Sequence, residues 1–438
     1  MAAAKARGDL LSRLKRKNFT AAVIGLGYVG LPLAVEYADA GIQVIGIDVD
    51  GVKVRMIRAG KSYIGDIPSE TIQAAVSAGL LRTTSDFSAL AEADTVNICV
   101  PTPLRKTKDP DLSYIVSAAE QVAKYIHRDM LIVLESTTYP GTTEEVLVPM
   151  FEQKGFKVGR DIFLAFSPER VDPGNAQYTT KNIPKVVGGV TERCSKMAAA
   201  LYGGVLQNVH PVSCCTVAEM VKLLENTFRS VNIGLVNEIA LMCDRMGIDV
   251  WEVIDAAKTK PFGFMPFYPG PGIGGHCIPL DPFYLSWKAK QYGFESRFIE
   301  LAGVVNGQMP HYVVGKVGDA LNRSKKSING AKILMLGVAY KRNISDVRES
   351  PALDILQLLG KKGANLSYCD PFVPVLDEHG ISMKAEKFSA ATLRKADCVV
   401  LVTDHDAFDR GMIARESKVV VDTRNALKGC GGDNIIKL

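Results

Sequence analysis

An apolar run, AAVI at residues 21–24, leads directly into Gly25-x-Gly27-x-x-Gly30, and an amphipathic stretch, LPLAVEYADAG, follows. Strand, glycine turn and helix in that order restrict this segment to a dinucleotide-binding βαβ unit. In such a turn Gly25 permits the tight reversal, Gly27 lets a pyrophosphate approach the backbone, and Gly30 lets the helix pack closely on the strand. Tyr28 and Val29, inside the turn, join these glycines as expected cofactor contacts. The pyrophosphate then lies at the positive end of the helix dipole. The next apolar run, IQVIGID, ends at Asp48, eighteen residues after Gly30. A carboxylate there accepts hydrogen bonds from ribose hydroxyls and repels a 2′-phosphate, which favours NAD over NADP. Lys53 and Arg55 weaken that preference, because a nearby cation suits the extra phosphate.

Near-continuous apolar runs (TVNICV, MLIVLEST, IFLAFSP, KVVGG) separated by helical stretches extend this pattern to residue 211. They imply a parallel sheet covered on both faces. Ligands bind such sheets at the carboxyl ends of the strands. Thr102 in ICVPTP, and Ser136 and Thr137 in LESTTYPGTT, fall there. Their hydroxyls suit ribose or substrate, and capping of the following helix by Thr137 or Thr142 accounts for them equally well. From 212 to about 308 the period becomes helical, over TVAEMVKLLENTFRSVNIGLVNEIALMCDRMG, before a Gly/Pro-rich run, PFGFMPFYPGPGIGG. From about Ala331 the α/β rhythm returns in AKILMLGVAY, ANLSYCDP, ADCVVLVT and SKVVVDT. The expected fold is α/β: two Rossmann-like, doubly wound parallel-sheet domains joined by a long central helical region. Its expected divisions are a basic tail (1–18), a cofactor domain (19–211), a helical and dimerisation region (212–325) and a second α/β domain (326–438).

The net charge of +5 narrows the partners only through its placement. Lys5, Arg7, Arg13, Lys15, Arg16 and Lys17 stand against Asp9, which accounts for the whole excess. A nucleic-acid binder carries its charge on a folded face, so this stretch is expected to be a frayed, solvated tail and no nucleic-acid partner is expected. No apolar run approaches the roughly 20 residues needed to cross a bilayer. The first residues lack a secretory pattern, so a cytoplasmic protein with no membrane partner is expected. Nine cysteines, an odd count, lack the spaced pairs of a zinc site, and the adjacent Cys214 and Cys215 do not readily chelate one tetrahedral metal together, so no metal is expected.

The segment YPGPGIGGHCIPLDPFY is chemically unusual: Gly274 and Gly275 precede His276 and Cys277, and Asp281 follows four residues later. Glycines free backbone N–H groups for an anion, cationic neighbours raise a thiol's thiolate fraction, and an aspartate in reach orients the thiol or activates water. With GLGYVGLPLA, VPTP, ESTTYPGTT, AFSPERVDPG, AEMVKLLENTFRSVNI, GGHCIPLDP, GVAYKRNISDVRES and VDTRN in this order, the chain resembles the UDP-glucose/GDP-mannose dehydrogenase family over nearly its whole length.

The resemblance implies an NAD-dependent, four-electron oxidation of the C6 hydroxyl of a UDP-sugar through a covalent adduct. It implies Cys277 as the nucleophile, Asp281 as its supporting acid, and Lys222 and Asn226 as the pair that binds the oxyanion and the attacking water. It implies Glu169 as a water-activating carboxylate, with Arg170 and Val171 lining the substrate. Arg229 continues the Lys222–Asn226 face of one helix, and Gly274, Tyr340, Lys341 and Arg424 resemble further substrate contacts. Arg348 resembles an arginine that reaches NAD, and His276 is expected only to shape the turn. The rivals are a two-electron hydroxyacid-type dehydrogenase, which needs no cysteine, and a non-catalytic NAD sensor.

Within the family, GGHC followed by IPLDPFYL resembles the branch acting on 2-acetamido sugars. KPFGFMPFYPGPG points to UDP-N-acetylglucosamine as substrate, for surface-polysaccharide precursor synthesis, with UDP-N-acetylmannosamine and UDP-glucose as alternatives. Related N-acetylmannosamine enzymes carry a His-x-Arg element before the Gly/Pro run, donated across a dimer. This chain has Lys258, Lys260, Pro261 and Gly263 around that place, so Lys258 or Lys260 is the candidate substitute. A homodimer built on the 212–246 helix is expected.

Overall fold

Short aliphatic strands buried on both faces build the first sheet of the computed structural model, which describes residues 9–65, 67–105, 109–171 and 177–438. They are β1 (Thr20–Ile24), β2 (Gln43–Ile47), β3 (Leu81–Thr84), β4 (Thr95–Ile98), β5 (Leu131–Leu134), β6 (Phe163–Phe166), β7 (Lys185–Gly189) and β8 (Val209–Pro211), in the order β3-β2-β1-β4-β5-β6-β7-β8. Ala21 pairs in parallel with Val44 on one side and Thr95 on the other. The strand order therefore reverses at β1/β4, which opens a ligand crevice beyond their carboxyl ends. The sheet is parallel through β6, but β7 pairs antiparallel with β6. The expected parallel sheet is thus present, with one antiparallel pairing that the sequence does not disclose, because an apolar pattern reports burial and carries no strand direction. The two edge strands, LRTT and VHP, are polar enough to escape a search for apolar runs.

The second sheet is formed by β9 (Lys332–Leu336), β10 (Asn365–Cys369), β13 (Cys398–Leu401), β14 (Val420–Asp422) and β15 (Ile435–Lys437), all parallel, in the order β10-β9-β13-β14-β15. A small hairpin, β11 (Val375–Glu378) with β12 (Ile381–Lys384), stands outside it. One face buries Ile333, Met335 and Val400 with Val313 and Val317 of the helix Arg297–Arg323, and the other buries Leu334, Leu336 and Val399. Both α/β sheets expected from the sequence are thus present.

The chain divides into two compact units, Met1–Glu225 with Phe283–Phe294, and Asn226–Pro282 with Glu295–Leu438. The helical region is shared between them. Its main element, Cys215–Met246, has 32 residues and is about 48 Å long at 1.5 Å per residue, more than one core can cover. Its start buries Cys215 and Ala218 in the core of the first sheet. Its end packs Ala240 and Cys243 against Trp251 and Ile254 of the helix Val250–Ala257. Among the described residues no helix is long and apolar enough to cross a membrane.

The basic stretch departs from expectation. Residues 1–8, with Lys5 and Arg7, lie outside the described residues. Leu10–Lys15, however, is a helix whose Leu10 and Leu14 are buried in the first core, while Arg13 pairs with Asp94 at 2.6 Å. This part is an anchored element, because leucines four apart share one helix face and outweigh the charge around them. Leu14→Ala is expected to cost about 3 kcal/mol, read as a lower midpoint in urea unfolding.

Candidate active site

The glycine turn between β1 and the helix Gly30–Asp39 is built as its spacing requires. Gly25 has φ +89°, and a Cβ there would lie 2.6 Å from the Cys99 carbonyl oxygen. A Cβ on Gly30 would run into the Gly25 carbonyl oxygen. Both glycines are therefore demanded by the protein itself. Gly27 is not: a Cβ there meets nothing within 4 Å, so the requirement falls on the open side, where a pyrophosphate approaches. Asp48 at the end of β2 accepts from Leu26 N–H at 2.8 Å and Asp50 N–H at 2.9 Å, which locks the turn to the acid. Lys53 lies 3.6 Å from Asp48 and so answers the acid's charge. Turn, helix start and acid fit NAD.

Of the strand-end hydroxyls, Ser136 donates to the Ile98 carbonyl at 3.3 Å and is buried, so it braces β4. Thr142 donates to Tyr139 O at 2.8 Å and caps no helix through its side chain. Thr102 is buried and its carbonyl accepts from Tyr284 OH. Thr137 is half-buried at the end of β5.

Below the carboxyl end of β6, Glu169 gathers charge. Its Oε1 accepts from Arg170 N–H and Val171 N–H, both at 2.8 Å, and its Oε2 lies 3.0 Å from Lys185 Nζ. Lys222, 8% exposed, donates from Nζ to the Glu169 carbonyl at 3.0 Å, so it is no solvated surface lysine. Burial pushes the Glu169 carboxyl up, but Lys185, the Val171 N–H and Lys222 more than reverse this and hold it below the usual range. Arg170 forms a fork on Glu225, with contacts of 2.6 and 3.2 Å, and donates to Pro184 O. Its charge is thereby largely answered within the protein.

In the second unit, Asn226 Nδ2 donates to Asp281 Oδ2 at 2.6 Å. Asp281, 3% exposed, turns its own N–H onto the Cys277 carbonyl at 2.8 Å. Asn226, Asp281 and Cys277 are thus linked, and Lys222 lies one turn before Asn226 on the same helix. Cys277 and His276 are half-buried. Gly274 and Gly275 are needed for close approach: a Cβ on the first would lie 2.6 Å from Tyr340 Cβ, and one on the second 2.9 Å from its ring. Gly275 N–H also donates to Arg348 O at 3.1 Å. The Gly/Pro run is pinned to the helices by a buried amide relay: Gly270 N–H to Asn237, Asn237 to Asn306, and Asn306 to Ser230 O.

Tyr340 and Lys341 follow β9 and are half-buried, with Tyr340 N–H on Asp346 O. The Arg348 guanidinium closes on Asp346, two residues away, at 2.6 to 3.0 Å. Arg424 lies against Gly270 and donates to Val402 O at 3.0 Å. Burial pulls its pKa down to about 10, despite Asp422. Arg229 is exposed. Lys258 is committed to Asp255 at 2.8 Å and Tyr268 OH at 3.0 Å, whereas Lys260 is exposed over the Phe262 ring at 4.9 Å.

Two residues were missed by sequence reasoning. Glu135 and Lys185 form a buried ion pair at 2.7 Å beside Glu169. The available signal was a charge adjoining each of two apolar strands, in LIVLE and KVVGG.

The UDP-glucose/GDP-mannose dehydrogenase family matches in three consecutive parts: its NAD binding domain over residues 19–206, its central domain over 216–308 and its UDP binding domain over 334–429. The UDP-N-acetyl-D-glucosamine 6-dehydrogenase of Pseudomonas aeruginosa is 35% identical over 397 residues, spanning 90% of this chain and 92% of that protein. An NDP-N-acetyl-D-galactosaminuronic acid dehydrogenase of Ralstonia nicotianae is 37% identical over 417 residues, 92% and 95% of the two chains. Among solved structures, a UDP-D-ManNAc dehydrogenase from Pyrococcus horikoshii superimposes with a TM-score of 0.87 at 33% identity, over 95% of this chain and 98% of that one.

Proposed function

The chain belongs to the UDP-glucose/GDP-mannose dehydrogenase family, and from that membership we propose that it oxidises UDP-N-acetylglucosamine at C6 to the carboxylate through an acyl adduct on Cys277. It is an NAD-dependent nucleotide-sugar dehydrogenase. The observation that best supports the covalent route is the Asn226–Asp281 contact of 2.6 Å, with Asp281 N–H on the Cys277 carbonyl.

The Gly25–Gly30 turn and Asp48 would hold NAD, which would supply the hydride acceptor. Cys277 adds its thiolate to the C6 aldehyde, and Lys222 and Asn226 stabilise the resulting oxyanion. Holding the carbon on sulfur keeps the aldehyde from escaping until a second NAD would take the hydride from the thiohemiacetal carbon, which leaves the thioester on Cys277. In hydrolysis, water bonds to the thioester carbon, its proton passes to Glu169 or Asp281, and the C–S bond breaks to return the Cys277 thiolate. Tyr340, Lys341, Arg229, Arg170, Val171, Gly274 and Arg424 are the residues proposed to hold the UDP-sugar. Arg348 and Thr137 are proposed to contact NAD, with Thr102, Tyr28, Val29 and Lys53 beside it.

The 2-acetamido preference rests on the KPFGFMPFYPGPG stretch, and N-acetyl sugars recur in the names of the relatives. Lys260, the less committed of the two lysines before this run, is the proposed substitute for a substrate-binding cation. Lys260→Ala is expected to raise the KM for the UDP-sugar several-fold, with kcat little changed. An unaltered KM would remove it from the site.

A homodimer is supported by exposed apolar residues: Phe228, Leu235, Met242 and Met246 on the long helix, and Phe298, Leu301 and Val304 on the helix Arg297–Arg323. Patches of this kind on soluble proteins mark association surfaces. Light scattering at micromolar concentration is expected to give the mass of two chains, and the mass of one would contradict the dimer.

A further inference from the structure

Glu135 and Lys185, 1% and 4% exposed, take no part in the chemistry proposed above. Desolvating an ion pair commonly costs more than its attraction returns, so such a pair is weak as a stability device. Its geometry points elsewhere. Glu135 Oε1 accepts from Asn97 Nδ2 and Tyr202 OH, both at 2.6 Å, and Oε2 lies 2.7 Å from Lys185 Nζ. The ammonium then spans to Glu169 Oε2 at 3.0 Å, while Glu169 Oε1 is held by two backbone N–H groups. Glu135 fixes Lys185, and Lys185 fixes Glu169.

We propose that Lys185, anchored on Glu135, is a positioning residue that pins Oε2 of Glu169 and keeps this carboxylate ionised for hydrolysis of the acyl adduct. The inference rests on the reading of Glu169 as the base of that step. Among the described residues, the charged and titratable neighbours are few. Glu135 comes from the end of β5, Lys185 from β7, and Lys222 from the long helix, where Glu225 is paired with Arg170. Cys99, Tyr37 and Tyr202 are pushed far up by burial and stay neutral. In the step itself a water proton moves to Glu169 as the water oxygen bonds to the acyl carbon and sulfur leaves. A Glu169 that is already protonated cannot accept it, so the acid limb of hydrolysis follows Glu169. An adjacent cation lowers a carboxyl pKa by about 1–3 units, so losing Lys185 moves that limb to higher pH.

The test is the decay of the acyl–Cys277 adduct, followed by intact mass after acid quench of enzyme mixed with NAD and its preferred UDP-sugar, as a function of pH. Lys185→Gln is expected to shift the acid limb upward by about one pH unit or more, and Lys185→Arg to restore it. Coincident limbs for Lys185→Gln and wild type, or an arginine that does not restore the limb, would overturn the inference. If Glu169→Gln in the same experiment accumulates adduct, the base reading survives that failure. If Glu169→Gln clears adduct at the wild-type rate, the base reading itself falls. Should Lys185→Gln not fold, infrared titration of wild type against Glu169→Gln decides. A Glu169 band ionised well below the usual glutamate value of about 4.3 supports the inference, and one titrating at or above it refutes it.

Discussion

Cys277→Ser is expected to lower carboxylate formation by at least about 10³-fold, the scale on which loss of a covalent nucleophile is felt. Serine's hydroxyl is far less ionised than a thiol near neutral pH, and an alkoxide is a poorer leaving group than a thiolate. Both half-steps on sulfur therefore suffer. The Cys277 backbone carbonyl, which accepts from Leu280 and Asp281 N–H at 3.1 and 2.8 Å, is untouched by the change. The variant should fold and bind NAD, so the loss can be assigned to chemistry. Steady-state NADH production, with NAD affinity by fluorescence as the control, checks it. Near-normal turnover would remove Cys277 from the reaction.

Lys222→Ala is expected to lower kcat by about 10²–10³-fold, as removal of a group that stabilises a developing oxyanion does. The lysine is buried and its ammonium is directed by the Glu169 carbonyl, so truncation removes a charge that is fixed in place. Among the described residues it also leaves Lys185 as the cation paired with both Glu135 and Glu169. Lys222→Arg is expected to recover little, since a planar guanidinium does not fit a contact made by a compact ammonium. The readout is kcat with KM changing much less, because the interaction strengthens in the transition state.

What was legible in the sequence was local. The glycine turn and Asp48 follow from residue spacing within one βαβ unit, and the requirements for Gly25 and Gly30 are set by neighbours a few residues away or by the adjoining strand. The long helix was readable because its period persists over nine turns' worth of residues, 32 in all. Pairings between distant strand ends were not: Glu135 and Lys185 are 50 residues apart, and nothing in either run names the other. Direction was equally hidden, as the antiparallel β7 shows. The Leu10–Lys15 helix was hidden because the cations around it drew attention from two leucines spaced for one helix face. Arg348 closes on Asp346 through contacts two residues apart, a pairing that S-D-V-R made available without structural help.

The central claim, a four-electron oxidation through Cys277, is tested most directly by counting NADH formed per UDP-N-acetylglucosamine consumed at saturating NAD, with UDP-N-acetylmannosamine and UDP-glucose measured alongside. Two NADH per sugar, with UDP-N-acetylglucosamine preferred, is the expected result. One NADH per sugar, with free aldehyde accumulating, would contradict the covalent route whatever the sugar.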